Sequence, residues 1–197
     1  MTSKTVIDFN LDAGTIVRDQ YADQGLRIFS LKPHSWKIAD DNPAMIFDAE
    51  QDPNGHVSGG DDDLLFAGQG GVLIASEDGD QSDPDDNAGG AKFLFKFDEP
   101  VTVDSLKVLD VEHGSWIKLF DEHGRQIGQF DAFTADNGAK TVHIGVENVA
   151  FMTVEIRGSG AVDDLVFTPP AAPDGVVDGT EGDDLIDLAF VDAHGDR

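Results

Sequence analysis

AKFLFKFDEPVTV, residues 91–103, opens with seven residues that alternate between two faces. Phe93, Phe95 and Phe97 fall on one face of an extended chain, and Lys92, Leu94 and Lys96 on the other. A helix would spread the three phenylalanines around its axis, whereas a strand gathers them. One apolar and one wetter face also mark a strand of an antiparallel sheet, since parallel strands are usually covered on both sides. AFMTVEIR, residues 150–157, repeats the pattern, with Met152, Val154 and Ile156 opposing Thr153, Glu155 and Arg157.

Similar runs lie on both sides: TVIDF, GTIVRD, LRIFSL, AMIFD, DLLFA and GVLIAS before it, and VTV, SLKVLDVE, SWIKLFD, RQIGQFD, KTVHIGV and GAVDDLVF after. Each is bounded by Gly, Pro, Asp or Asn, at the spacing of a β-sandwich or barrel. FDEHGRQIG, residues 120–128, reads as a hairpin whose turn is Asp121, Glu122, His123 and Gly124, between strands holding Leu119 and Ile127. No window carries helical periodicity beyond two turns. The expected fold is all-β, an antiparallel β-sandwich of jelly-roll type over residues 1–168. A Pro-rich linker follows at 169–178, then a short irregular C-terminal tail at 179–197.

Charge narrows the function classes. The chain has 39 acidic and 13 basic residues, a formal net charge of -26, which argues against nucleic acid or anionic lipid as partner. Hard cations with oxygen ligands suit it, and calcium, with about six to eight oxygens, suits it best; the alternative is an acidic surface that serves only solubility. With no Cys, disulfides and thiolate metal sites are excluded. No apolar run approaches the roughly 18 residues of a membrane span, and MTSKTVIDFN lacks a signal-peptide core. That leaves a cytosolic chain, a trimmed one, or export without an N-terminal signal.

The acidic residues are clustered. DAEQDPN (48–54), GGDDD (59–63) and SEDGDQSDPDDNAGG (76–90) offer Asp48, Asp61, Asp62, Asp63, Glu77, Asp78, Asp80, Asp83, Asp85, Asp86 and Asn87 as calcium ligands, with simple solvation the alternative. The third cluster is not an EF-hand loop: counted from Asp78, Asp83 stands where Gly is required and Gly89 where the closing Glu belongs. A five-residue strand is only about 17 Å long, so the loops flanking GVLIA emerge at its opposite ends unless it bends.

GTEGDDLID, residues 179–187, fits the nonapeptide G-G-x-G-x-D-x-U-x with Thr180 in second place. Its glycines permit the tight turns that aim carbonyls at an ion, Asp184 supplies a carboxylate and Ile186 a core contact. It resembles the opening repeat of repeats-in-toxin (RTX) proteins, which implies type I secretion, a secreted or cell-surface location, and a parent chain continuing past Arg197. GSGAVDDLVF taken with TVIDFN resembles calcium-stabilised jelly rolls of the carbohydrate-binding kind. That resemblance implies an ion at Asp163 with Asp8 or Asn10 opposite; Asp164 stays open because the strand's phase is not fixed. The arrangement from DFN through AKFLFKFDEPVTV resembles an uncharacterised secreted domain found beside RTX tails in bacterial surface proteins.

Trp36, in KPHSWKIADD, and Trp116, in SWIKLF, are the candidate ligand-binding aromatics, because an indole face matches the apolar face of a pyranose. If Ile117 and Leu119 face the core, Trp116 and Lys118 face the other surface; the alternative is that loops cover both tryptophans. HExxH, G-x-S-x-G and Walker A are absent, and the six His keep no metal-ligand spacing. The expectation is therefore a non-enzymatic, calcium-dependent extracellular module, a monomeric unit of a longer adhesin, binding carbohydrate. The alternatives are a calcium-stiffened spacer without a ligand and, more weakly, a carbohydrate-active enzyme.

Overall fold

The computed structural model describes residues 3–50, 62–171 and 191. In chain order its strands are β1 (Thr5–Ile7), β2 (Leu26–Ser30), β3 (Ala44–Asp48), β4 (Gly71–Ala75), β5 (Ala91–Leu109), β6 (Trp116–Phe120), β7 (Gln126–Asp131), β8 (Ala139–Ile156) and β9 (Ala161–Thr168). All pair antiparallel in one continuous sheet. The only helical turns among the described residues are two three-residue 3₁₀ turns, Ala22–Gln24 and Asp62–Leu64.

Three of the expected strands, AKFLFKF, VTV and SLKVLDVE, merge into the single long strand β5, which stops at Leu109, short of the last three residues of SLKVLDVE. The sequence suggests a break at Asp98, Glu99 and Pro100, and the structure puts a register shift there, where Lys96 pairs with Phe151 but Val101 pairs with Val149. Pro100 has no N–H to donate, and a bulge is where a strand tolerates that loss. KTVHIGV and AFMTVEI likewise merge into β8.

Length lets these two strands serve both layers of a sandwich. Up to Phe97, β5 lies between β2 and β8; from Thr102 its other neighbour is β9. One layer is therefore β2, the first half of β5, the second half of β8, β6 and β7. The other holds β3, β4, β9, the second half of β5 and the first half of β8, with β1 on the far edge of β9. Phe93, Phe95, Ile117, Met152 and Val154 of the first layer meet Val103, Leu106, Val108, Leu165 and Phe167 of the second in one core.

Two expected strands are corrected. GTIVRD makes only an isolated bridge, Ile16 to Met45, and DLLFA begins as the 3₁₀ turn whose Leu64 is buried in a second, smaller core. That core, with Met45, Phe47, Val72 and Ile74, covers the outer side of β3 and β4. Both faces of these strands are thus apolar, so no alternation is visible in AMIF or GVLI.

Candidate functional site

Strand pairing assembles one outer-face site from residues far apart in sequence. Across β5, β8 and β6, Lys92 stands opposite Glu155 and Glu155 opposite Trp116; the next rank is Leu94, Thr153 and Lys118, and the third Lys96, Phe151 and Phe120. Ile117 and Leu119 are fully buried, which fixes the phase and turns Trp116 and Lys118 outward. The loop after β2 folds back on itself, Lys32 N donating to Lys37 O and Ser35 N to Lys32 O, and lays Trp36 over the same face. Trp36 meets Phe120 and Phe151 edge-on at 6.0 Å each, while Phe120 and Phe151 stack at 4.7 Å. Loops do not cover the tryptophans: Trp36 is 59% and Trp116 36% exposed.

Electrostatics in this face centre on Glu155. Lys92 Nζ lies 3.4 Å and Lys118 Nζ 3.2 Å from its carboxylate, and Lys92 Nζ also sits 4.5 Å from the Trp36 ring centroid. Burial pushes the Glu155 carboxyl up, but the two ammonium groups outweigh it and hold the group below its ordinary value. Trp116, Lys118, Lys92, Glu155, Arg157 and His34 line a cleft of about 340 Å³, whose rim also includes Gly90, Gly114 and Gly158. Gly90 has φ +96, and a Cβ there would meet the Ile156 carbonyl oxygen at 2.6 Å, so the chain can enter β5 beside β8 only without a side chain. Sequence reasoning singled out Trp36, Trp116 and Lys118 but not Lys92, Glu155, Arg157 or His34. Alternation placed Lys92, Glu155 and Arg157 on wetter faces, yet only the pairing of β5, β8 and β6 shows that these faces are one.

The seam of β1 and β9 holds a second group. Thr5, Val6 and Ile7 pair with Phe167, Val166 and Leu165, which brings Asp8 to the level of Asp163 and Asp164. Against β5 the register advances two residues from Ser105 to Lys107 but three from Val166 to Asp163, a bulge centred on Asp164 at φ +44. That bulge settles the phase: Asp163 is 1% exposed, while Asp164 reaches Lys107 Nζ at 3.4 Å. Gln69 bridges them, accepting from Lys107 and donating to Asp163 Oδ2. Among the described residues, Asp163 Oδ1 and the nearby Tyr21 hydroxyl are buried without a hydrogen-bond partner. Burial, then the Asp164 and Asp8 charges, raise the Asp163 carboxyl from 3.8 to about 7, against the lowering effects of the Asp164 N–H and Lys107. Burial, Asp8 and Asp163 push the Tyr21 hydroxyl to about 12. Asn10 is otherwise engaged, its Oδ1 accepting from Gly71 N at 2.9 Å.

The loop from Glu77 to Asn87 is held largely by its own hydrogen bonds. Asp78 Oδ1 accepts from Asp80 N, Asp80 Oδ1 from Ser82 N and Oγ, and Asn87 Oδ1 from Gly89 N. Asp86, buried, accepts from Ser159 Oγ and Gly160 N and so ties the loop to the start of β9. Asp83 and Glu77 are exposed; Asp85 is raised by burial and by the charges of Glu77, Asp78 and Asp83. Asp63 adds to the upward shift of Asp86, so the loops flanking β4 do come within electrostatic reach. Asp62 is exposed at its 3₁₀ turn, and Asp48 accepts from Glu50 N. Asp61, Asp184, the RTX-like stretch and most of the linker lie outside the described residues. Among the described residues, no group of three or more His, Asp or Glu side chains is gathered to hold one metal ion.

No protein-family model matches the chain, and no curated protein matches it in sequence. Solved structures do match. A family 32 CBM from C. perfringens NanJ in complex with galactose is similar over 84% of this chain and 98% of its own, at 10% identity and TM-score 0.36. A Streptococcus pneumoniae fucose binding module is similar over 67% of this chain and 98% of its own, at 14% identity and TM-score 0.33. For the lectin binding domain of lectinolysin complexed with Lewis b, the match covers 41% of this chain and 65% of that domain, at 12% identity and TM-score 0.30. Scores this low assign this chain neither a family nor a ligand.

Proposed function

We propose that the chain is an extracellular carbohydrate-binding module whose ligand lies in the Trp116 cleft. The observation that carries this is the rank Lys92, Glu155 and Trp116, which sets an exposed indole beside hydrogen-bonding charges in a cleft of about 340 Å³. A pyranose offers one apolar face for stacking and a rim of hydroxyls for polar groups, and such a site supplies both. Binding is favoured over hydrolysis because Glu155 is the one carboxylate among the lining residues and is neutralised by two lysines, while glycoside cleavage commonly uses a pair.

The calcium part of the proposal rests on Asp163. A buried carboxylate with an orphaned oxygen among the described residues, Asp8 nearby and only a shared Lys107 to offset the charge fits a hard cation closing the seam between the first and last strands. GTEGDDLID further supports placing the module in a larger secreted RTX-type adhesin or surface protein.

A glycan array probed with the wild-type chain and Trp116→Ala, each with calcium and with chelator, tests the proposal. Glycans retained by the wild type and lost by the variant support a binding module. Silence across the array, beside a melting temperature that drops in chelator, supports a calcium-stiffened spacer instead. A melting temperature indifferent to chelator removes calcium from both.

A further inference from the structure

Building on the carbohydrate reading of the cleft, we propose that its ligand is an anionic saccharide, a sugar carrying a carboxylate or a sulfate ester. The chain has 13 basic residues against 39 acidic, yet Lys92, Lys118 and Arg157 line this one cleft against the lining carboxylate Glu155, with the Glu112 carboxylate against Gly158 at its rim, so cations still outnumber acids there. A randomly placed cleft on such a surface would be acidic. This one is cationic, and cationic at a tryptophan.

Glu155 does not use up that charge. It lies between Lys92 and Lys118, so the trio keeps a net positive charge, and Lys92 is 6% exposed, fixed between Glu155 and the Trp36 ring. Among the described residues the Arg157 guanidinium makes no ion pair; it lies across Gly114, where a Cβ would come within 3.3 Å of Cδ and Nε and 3.4 Å of Cζ. Arg157 is thus an exposed fork of donors at the edge of the cleft, suited to the paired oxygens of a carboxylate or sulfate. Lys118 is the other accessible cation, its side chain 25% exposed beside Trp116. A sugar stacked on the indole has its ring substituents facing these two groups.

The net charge of -26 sets the size of the ligand. At physiological salt, charges more than about 8 Å apart are largely screened, so a short acidic oligosaccharide or a chain end responds to the cleft rather than to the whole acidic surface. A long, dense polyanion lying across that surface meets repulsion along its length. Nucleic acid and anionic membranes are disfavoured for the same reason.

Titration calorimetry at about 0.15 M salt, with tri-galacturonic acid and with the same trisaccharide reduced at its carboxyls, reads the proposal directly. The acid form is expected to bind about tenfold tighter than the reduced form, with Arg157→Gln and Lys118→Gln each losing about three- to tenfold for the acid form only. Trp116→Ala should lose both forms. A sulfated neocarratetraose, which carries sulfate esters and no carboxylate, separates the sources in a third arm: its binding in place of tri-galacturonic acid, with the same dependence on Arg157, names sulfate as the anion. Equal or tighter binding of neutral oligosaccharides at a Trp116-dependent site overturns the anionic proposal and leaves the carbohydrate reading standing. No Trp116-dependent binding of any saccharide overturns both. Arg157 is exposed, so its variant folds even if Lys118→Gln does not.

Discussion

Glu155 on β8 and Asp163 on β9 are both carboxylates drawn out of water by the same sheet, and they have been treated in opposite ways. Two lysines converge on Glu155 and hold its carboxyl low. Around Asp163 the one neighbouring cation among the described residues, Lys107, is shared with Gln69 and Asp164, and the carboxyl rises to about 7. In a chain with so few cations, their placement is informative. Two lysines compensate the burial of Glu155, whereas at the β1–β9 seam burial and like charge outweigh the single nearby ammonium.

Asp163→Asn breaks this comparison at its costlier end. The folded chain retains a proton near pH 7 that the unfolded chain releases near 3.8, so without divalent cations stability falls as pH climbs between those values. At pH 8 in chelator, the amide removes the charge and should stabilise the chain by up to about 4 kcal/mol in urea denaturation. Excess calcium should reverse the order, stabilising the wild type and not the variant. A variant no more stable than wild type in chelator at pH 8 would show that Asp163 is not a strained anion.

Lys92→Met acts on the other carboxylate. Methionine keeps the apolar stem and deletes the ammonium that pairs with Glu155 and lies over Trp36, in a side chain almost wholly out of water. Removing one partner of a buried pair costs about 3–5 kcal/mol, and Lys118 remains on Glu155 to soften it, so a loss of about 2 kcal/mol is expected. Unchanged stability would mean that Lys92 contributes only packing.

How much of this was legible in the sequence follows from what each signal needs. The alternation of Phe93, Phe95 and Phe97 with lysines predicts the strand and its phase, and Ile117 with Leu119 turns Trp116 and Lys118 outward, because a period of two is local information. The rank Lys92, Glu155 and Trp116 is not local. It depends on registers between residues 63 apart, Lys92 and Glu155, and 39 apart, Trp116 and Glu155, and nothing in AFMTVEIR says which neighbours Glu155 will have. The bulge at Asp164 was equally hidden, since GAVDDLVF carries no Gly at that position to announce it. DLLFA misled for a different reason: its apolar residues fill a second core beneath β3 and β4 without joining the sheet. In the long acidic loop, composition offers carboxylates but does not say that Asp78, Asp80 and Asn87 cap its own turns or that Asp86 anchors it to β9, because those partners are set by the turn geometry and by Gly160 far along the chain.

Lys118→Met gives the smallest effect and the sharpest contrast. Lys118 and Glu155 are 25% and 27% exposed, so water competes for the pair and its loss should cost under about 1 kcal/mol at neutral pH. Its sign on a pH axis opposes that of Asp163. A carboxyl held below its ordinary 4.5 adds stability that is complete above that value and disappears as pH falls through the lowered one. In an Asp163→Asn background in chelator, where the opposing slope is gone, the stability difference between chains with and without the Lys118→Met substitution reduces to this pair alone. It should hold steady from pH 8 to about 5 and shrink towards zero in stronger acid as Glu155 takes up its proton. A difference that persists undiminished in acid would place the contribution of Lys118 in the packing of its stem, and the low value of Glu155 would then belong to Lys92.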